Sequence, residues 1–156
     1  MIVLTRVDHR LLHGQVAFSW TNSLGADAIL IVNDDVVKDE MWKTTLKLAK
    51  PVGVKLVIKN IEDAIKAINS GVTDKYKLLI VVSSIEDAKK LIDNVEQIKS
   101  LNLGGSKHTE NSKAIGKSFY ITEDEEKMLR ELIDKGIEVE LRQVANESKK
   151  DVKTLL

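Results

Sequence analysis

A rhythm constrains this chain more than any single residue: short, β-branched apolar runs recur, each followed by a stretch with helical spacing. "IVLTRV" (2–7), "AILIV" (28–32), "VKLVI" (54–58), "KLLIVV" (77–82), "IKSLNL" (98–103), "SFYI" (118–121) and "IEVEL" (137–141) read as strands. Several are almost unbroken in Val, Ile and Leu, the pattern of parallel strands covered on both faces. Between them lie helix signals. "SSIEDAKKLIDN" offers Ser83 with Glu86 three residues on, and "ITEDEEKMLRELIDKG" offers Thr122 with Glu125, each at capping-box spacing. Gly25, Gly71 and Gly136 stand where helices should stop, and Pro51, the only proline, closes the helix containing "DEMWKTTLKLAK".

This alternation predicts an α/β fold: an open, doubly wound, mostly parallel sheet of about six to seven strands with helices on both faces and right-handed connections. In "IEVEL", Ile137, Val139 and Leu141 share one face, which suits an antiparallel edge strand. The lysine-rich "NESKKDVKTLL" reads as a short helix or a frayed end. With 156 residues and neither repeat nor linker, one domain spanning 1–156 is expected.

Composition removes several functions. Lysines plus arginines equal aspartates plus glutamates, 24 each, so no bulk field draws nucleic acid or an anionic membrane. The absence of cysteine excludes disulfides, thiolate metal sites and a cysteine nucleophile. No apolar stretch has the length to span a bilayer, and "MIVLTRVDHR" lacks a basic region before its short apolar run. A cytoplasmic protein without membrane insertion is the expectation.

Chemistry concentrates in "RVDHRLLHGQV" (6–16), which follows the first apolar run and holds two of the three histidines. Ligands of open α/β sheets bind beyond the carboxyl ends of the strands. That edge should gather this loop, "NDD" (33–35) and "GGSKHTENSK" (104–113). His9 and His13 have the H-x-x-x-H spacing of a zinc pair on one helix face. Arg10, however, stands where a metalloprotease carries its glutamate, and a guanidinium there repels a divalent cation. Nothing in the sequence brings in His108 as a third ligand, so no metal is expected. A G-x-S-x-G elbow, a P-loop and a dinucleotide glycine pattern are all missing.

A phosphate site fits these residue types better. A neutral imidazole, with an ordinary pKa of about 6.5, can attack phosphorus. Guanidinium groups such as Arg6 and Arg10 stabilise charge on the transferring oxygens. Gly14 lets backbone come close, and the helix starting near "HGQVAFSW" turns free N–H groups toward an anion. Asp8 can accept from an imidazole N–H and so decide which nitrogen reacts. An ordinary solvated β–α loop with a basic cap is the plain alternative. Trp20 with Val16, and Trp42 with Met41, read as core residues at helical spacing. "NDD" reads as a helix N-cap.

The same eleven residues, followed by a tryptophan-bearing helix and later by "LNLGG", resemble a known signature. It belongs to the IIB components of the mannose/fructose/sorbose family of the bacterial phosphoenolpyruvate-dependent sugar phosphotransferase system. The resemblance implies that His13, in the His-Gly-Gln turn, carries the phosphoryl group as a phosphohistidine, on Nδ1. It implies catalytic roles for His13, Arg10 and Asp8, and phosphate contacts from Arg6, Gly14 and Gln15. The donor would be a phosphohistidine on a separate IIA protein. The acceptor would be a sugar held by the IIC and IID membrane permease components, with which the protein would associate peripherally. No metal or organic cofactor is implied. His9 departs from the pattern, which often has an acidic residue there. The residues leave open a non-catalytic module that binds an anion or phosphosugar on the same fold and, less favoured because Asp8 is the one evident general-base carboxylate, a phosphatase or isomerase acting on sugar phosphates.

Overall fold

The computed structural model describes residues 1–156. Strands β1 (Ile2–Asp8), β2 (Ala28–Val32), β3 (Lys55–Lys59), β4 (Leu78–Val82) and β5 (Ser100–Gly105) alternate with helices α1 (Gly14–Leu24), α2 (Glu40–Leu48), α3 (Ile61–Asn69) and α4 (Ile85–Asn94). After β5 come two short strands, β6 (Lys113–Ala114) and β7 (Tyr120–Ile121), then α5 (Glu123–Asp134), β8 (Glu138–Leu141) and β9 (Lys150–Asp151). Seven strands form one sheet in the order β3-β2-β4-β1-β5-β8-β9, parallel except for β9.

The expected architecture is present, and several local expectations change. "IEVEL" is not the antiparallel edge; β8 pairs parallel with β5, and the lysine-rich end supplies the antiparallel strand β9. "SFYI" does not join the main sheet. Its Tyr120 and Ile121 pair with Lys113 and Ala114 in a separate ribbon, while Phe119 and Ile121 still fill the core. The α4 cap is Ser84, which accepts from the Asp87 N–H, while the Ser83 hydroxyl accepts from the Asn33 amide. The Thr122–Glu125 capping box forms as expected.

Two cores flank the sheet. Helices α3, α4 and α5 pack on one face through Ala64, Ile68, Ala88, Leu91, Leu129 and Leu132. Helices α1 and α2 cover the other through Ala17, Trp20 and Leu46, joined by Leu11 and Leu12. β1 and β4 are neighbours, yet α1 and α4, which follow them, leave on opposite faces. The carboxyl ends of these two strands therefore border a crevice. Trp20 is buried as expected, and Trp42 is half-buried, but Met41 is 80% exposed and is not a core residue.

Candidate functional site

Period-two alternation along β1 places Val7 in the α3–α5 core and turns Arg6 and Asp8 toward the α1 side. Asp8 ends the strand, fully buried, and becomes the hub of the site. Its Oδ1 accepts from the Arg10 backbone N–H at 3.0 Å and from Arg10 Nε at 3.3 Å. His9 Nδ1 lies 3.8 Å from the same oxygen. Its Oδ2 accepts from Arg6 Nη2 at 3.2 Å and faces His13 Nε2 at 3.5 Å. Burial alone would raise the Asp8 pKa. The Arg10 N–H and the Arg6 charge outweigh that effect, so the carboxyl is held below its ordinary range.

The chain between Asp8 and His13 is a tight turn closed by the Leu11 N–H on the Asp8 carbonyl at 2.8 Å. Leu11 takes a left-handed φ of 63°, unusual for a residue with a side chain and costing about 1–2 kcal/mol. Burial of Leu11 and Leu12 in the α1–α2 core pins that conformation. The turn delivers His13 to the N-cap of α1 with extended backbone and no side-chain cap. The first N–H groups of α1 thus stay free, and its first turn holds no acidic residue. Gly14 has open space where a side chain would project, and Gln15 is exposed beside it.

Burial, then the Arg10 charge, lowers the His13 pKa below that of an ordinary imidazole, against the pull of Asp8. Both effects favour the neutral ring. His13 Nε2 is buried at 3.5 Å from Asp8 Oδ2, beyond hydrogen-bond geometry, with no other polar partner. Arg10 is 43% exposed and tethered to Asp8 through Nε alone, which leaves its terminal nitrogens for a ligand. Such a constellation can take up an anion and supply a nucleophile to it.

Two placements differ from the sequence expectations. Arg6 does not face the open site. It is 3% exposed, and its terminal nitrogens donate to Asn102 Oδ1, Asp8 Oδ2 and the carbonyls of Arg142 and Gln143. The histidines do not share a helix face either. His9 stays in the turn, His13 caps the helix, and each meets a different oxygen of Asp8. His108 packs edge-on against Tyr120, with ring centroids 5.2 Å apart. Asn33 of "NDD" accepts from the N–H groups of Asp35 and Val36, so this segment is a turn that braces β2 against β4.

Sequence reasoning missed the layer beneath. Sheet register sets Arg6 beside Asn102 on β5, and Asn102 beside Glu140 on β8. Asn102 Nδ2 donates to the Arg142 carbonyl, and Arg142 pairs with Glu140 at 2.9 Å. Trp20 of α1 roofs this row. The Arg6 and Arg142 guanidinium carbons lie 5.1 and 4.7 Å from its ring, and its indole N–H donates to the Gln143 carbonyl. Gly104 is needed because a methyl there would fall on the Arg6 guanidinium. "LNLGG" carried a signal for Asn102 and Gly104; nothing local marked Arg142 or Gln143.

A parallel α/β sheet with a histidine and a half-exposed arginine beside an open helix N-terminus has the features of an anion-binding α/β protein. Comparison with known proteins narrows it. Residues 2–156 match the family described as the PTS system sorbose subfamily IIB component. The fructose-specific EIIB component of Bacillus subtilis is 33% identical over 155 residues, covering 99% of this chain and 95% of that protein. The sorbose-specific EIIB component of Lacticaseibacillus casei is 32% identical, covering 97% and 93%. The crystal structure of the IIBSor domain of the Klebsiella pneumoniae sorbose permease superposes with a TM-score of 0.93 at 29% identity, covering 99% of this chain and 95% of that one. The chain belongs to the sorbose-type IIB family of the sugar phosphotransferase system.

Proposed function

We propose that His13 carries the phosphoryl group of this phosphotransferase component as a phosphohistidine. Support comes chiefly from the contact of His13 Nε2 with Asp8 Oδ2 at 3.5 Å, at the open N-terminus of α1. The Nδ1 lone pair attacks phosphorus of a phosphohistidine on a IIA partner. The new N–P bond forms as the donor's N–P bond breaks, and the donor imidazole leaves neutral. Asp8 stabilises the positive charge that the phosphorylated ring acquires, while Arg10 and the first N–H groups of α1 hold the phosphoryl oxygens. Gly14 leaves room for that group, and Gln15 borders it. In the second step a sugar hydroxyl presented by the IIC and IID permease components attacks phosphorus. The O–P bond forms as the N–P bond breaks, the hydroxyl proton passes to solvent, and His13 returns to neutral. Arg6 serves this chemistry from below, by fixing Asp8.

No helix is long and apolar enough to cross a membrane. The test is intact mass after incubation with phosphoenolpyruvate, the general phosphotransferase proteins and a cognate IIA. An acid-labile adduct should form on wild type and His9→Ala and be absent from His13→Ala. An adduct on folded His13→Ala would refute the assignment.

A further inference from the structure

The α3 side of the sheet is not fully covered. β3 is an edge strand, and alternation turns Lys55, Val57 and Lys59 toward this face. Ala28 on β2 and Ala67 on α3 contribute only methyl groups. A groove of about 320 Å³ opens there, with Leu30 and Val57 in its floor and Val72 in its far wall. That volume lies in the range of small-molecule sites, roughly 300–1,000 Å³. Val72 is 59% exposed, so the apolar surface continues to the rim.

The rim is cationic. Lys55 Nζ donates to the Tyr76 hydroxyl at 3.1 Å, and the ammonium groups of Lys55 and Lys75 each lie 5.2 Å from the Tyr76 ring centroid. Lys59 stands at the other end of β3. None of the three joins an ion pair; the ion-paired lysines of the chain all lie elsewhere. The nearest acidic neighbour in sequence, Asp74, lies against the Gly71 turn. Two unpaired ammonium groups on one phenol ring, beside an apolar recess, lack only a counter-charge that carries its own apolar surface.

We propose that this groove binds an amphipathic anion, a carboxylate or phosphate headgroup on an apolar body. The headgroup meets Lys55 and Lys75 beside the Tyr76 hydroxyl, and the apolar body lies over Val57 against Val72. β3 is three strands from β1, about 14 Å at ordinary strand spacing. The groove also opens on the face opposite α1. It is a site separate from His13 and independent of the phosphocarrier reading.

The test is a methyl NMR titration of the full chain with octanoate and with hexyl phosphate. Octanol and inorganic phosphate serve as controls for the apolar body and the headgroup alone. Saturable shifts at the Val57 and Val72 methyls with either amphiphile support the proposal, and the tighter of the two identifies the headgroup. Binding should weaken about tenfold or more in Lys55→Glu/Lys75→Glu and in both controls, and should also weaken with added salt. Phosphoryl acceptance by the double variant should match wild type. Absence of saturable shifts at Val57 and Val72, or equal binding of octanol or by the double variant, would overturn the proposal.

Discussion

The two faces of the sheet are built on different terms. The α3–α5 face is a continuous apolar core in which Leu30, Ile80, Leu91, Leu101 and Leu129 are almost wholly buried. The α1–α2 face holds a smaller apolar cluster and, beside it, the buried polar row Arg6, Asn102 and Glu140 under Trp20. Buried charge stabilises only when every partner is in place, because desolvation offsets much of the attraction. Both faces thus contribute to stability, but only the α1–α2 face also holds Asp8 at a set angle beneath His13. The proposed role of Asp8 needs that rigid support, since an imidazole beside a carboxylate is useful only in the right tautomer and orientation.

Truncations should expose this contrast. Arg6→Ala removes one donor each from Asp8, Asn102 and the carbonyls of Arg142 and Gln143, takes away the buried counter-charge of Asp8, and should destabilise the fold by about 3–5 kcal/mol. Ile80→Ala, on the apolar face, should cost about 2–5 kcal/mol. Urea midpoints report both, but only Arg6→Ala should also slow phosphoryl acceptance in the fraction that stays folded. Equal acceptance by the two variants would break the proposed division of labour. Gly104→Ala sharpens the same point. Its methyl must displace the Arg6 guanidinium, which should cost about 1–3 kcal/mol and impair acceptance together.

Acid should act on the polar face in two steps. The lowered His13 pKa means that the unfolded chain binds this proton more readily than the native one. Stability contributed by His13 should therefore decline as pH falls below about 6.5, toward the native value. Asp8 is also lowered, so its contribution is present above the ordinary carboxylate range and disappears as pH falls through its native pKa. Urea midpoints across pH should show both declines, with the lower one missing in Asp8→Asn.

Arg10→Ala should change stability least, within about 0.5 kcal/mol, because the side chain is exposed and its backbone N–H on Asp8 survives. Acceptance should nevertheless slow strongly. The acid limb of its pH profile should move up, since removing the Arg10 charge lets His13 bind a proton more easily. A profile unchanged in rate and inflection would remove Arg10 from the mechanism.

Much of this was legible locally. β-branched runs announced β1, β2, β4 and β5, because burial on both faces leaves no other composition available. His13, Arg10 and Asp8 lie within six residues, so their chemistry could be read from one segment. Partner choice was less legible. Phe119 and Ile121 have a strand's apolar character, but nothing in four residues says which sheet receives them. Ser83 and Ser84 each precede an acidic residue by three, and only the Asn33 contact decides between them. Arg6 looked like a phosphate ligand because its acceptors, Asn102 and the carbonyls of Arg142 and Gln143, are 96 to 137 residues away.

The central claim is that Asp8 holds the His13 ring through Nε2 and leaves Nδ1 to take the phosphoryl group. Long-range proton–nitrogen NMR of the histidine rings, on free and phosphorylated protein at neutral pH, tests it most directly. The account predicts a protonated Nε2 and a bare Nδ1 on free His13, and phosphorus coupled to Nδ1 after transfer. A protonated Nδ1 in the free protein, or phosphorus on Nε2, would contradict it.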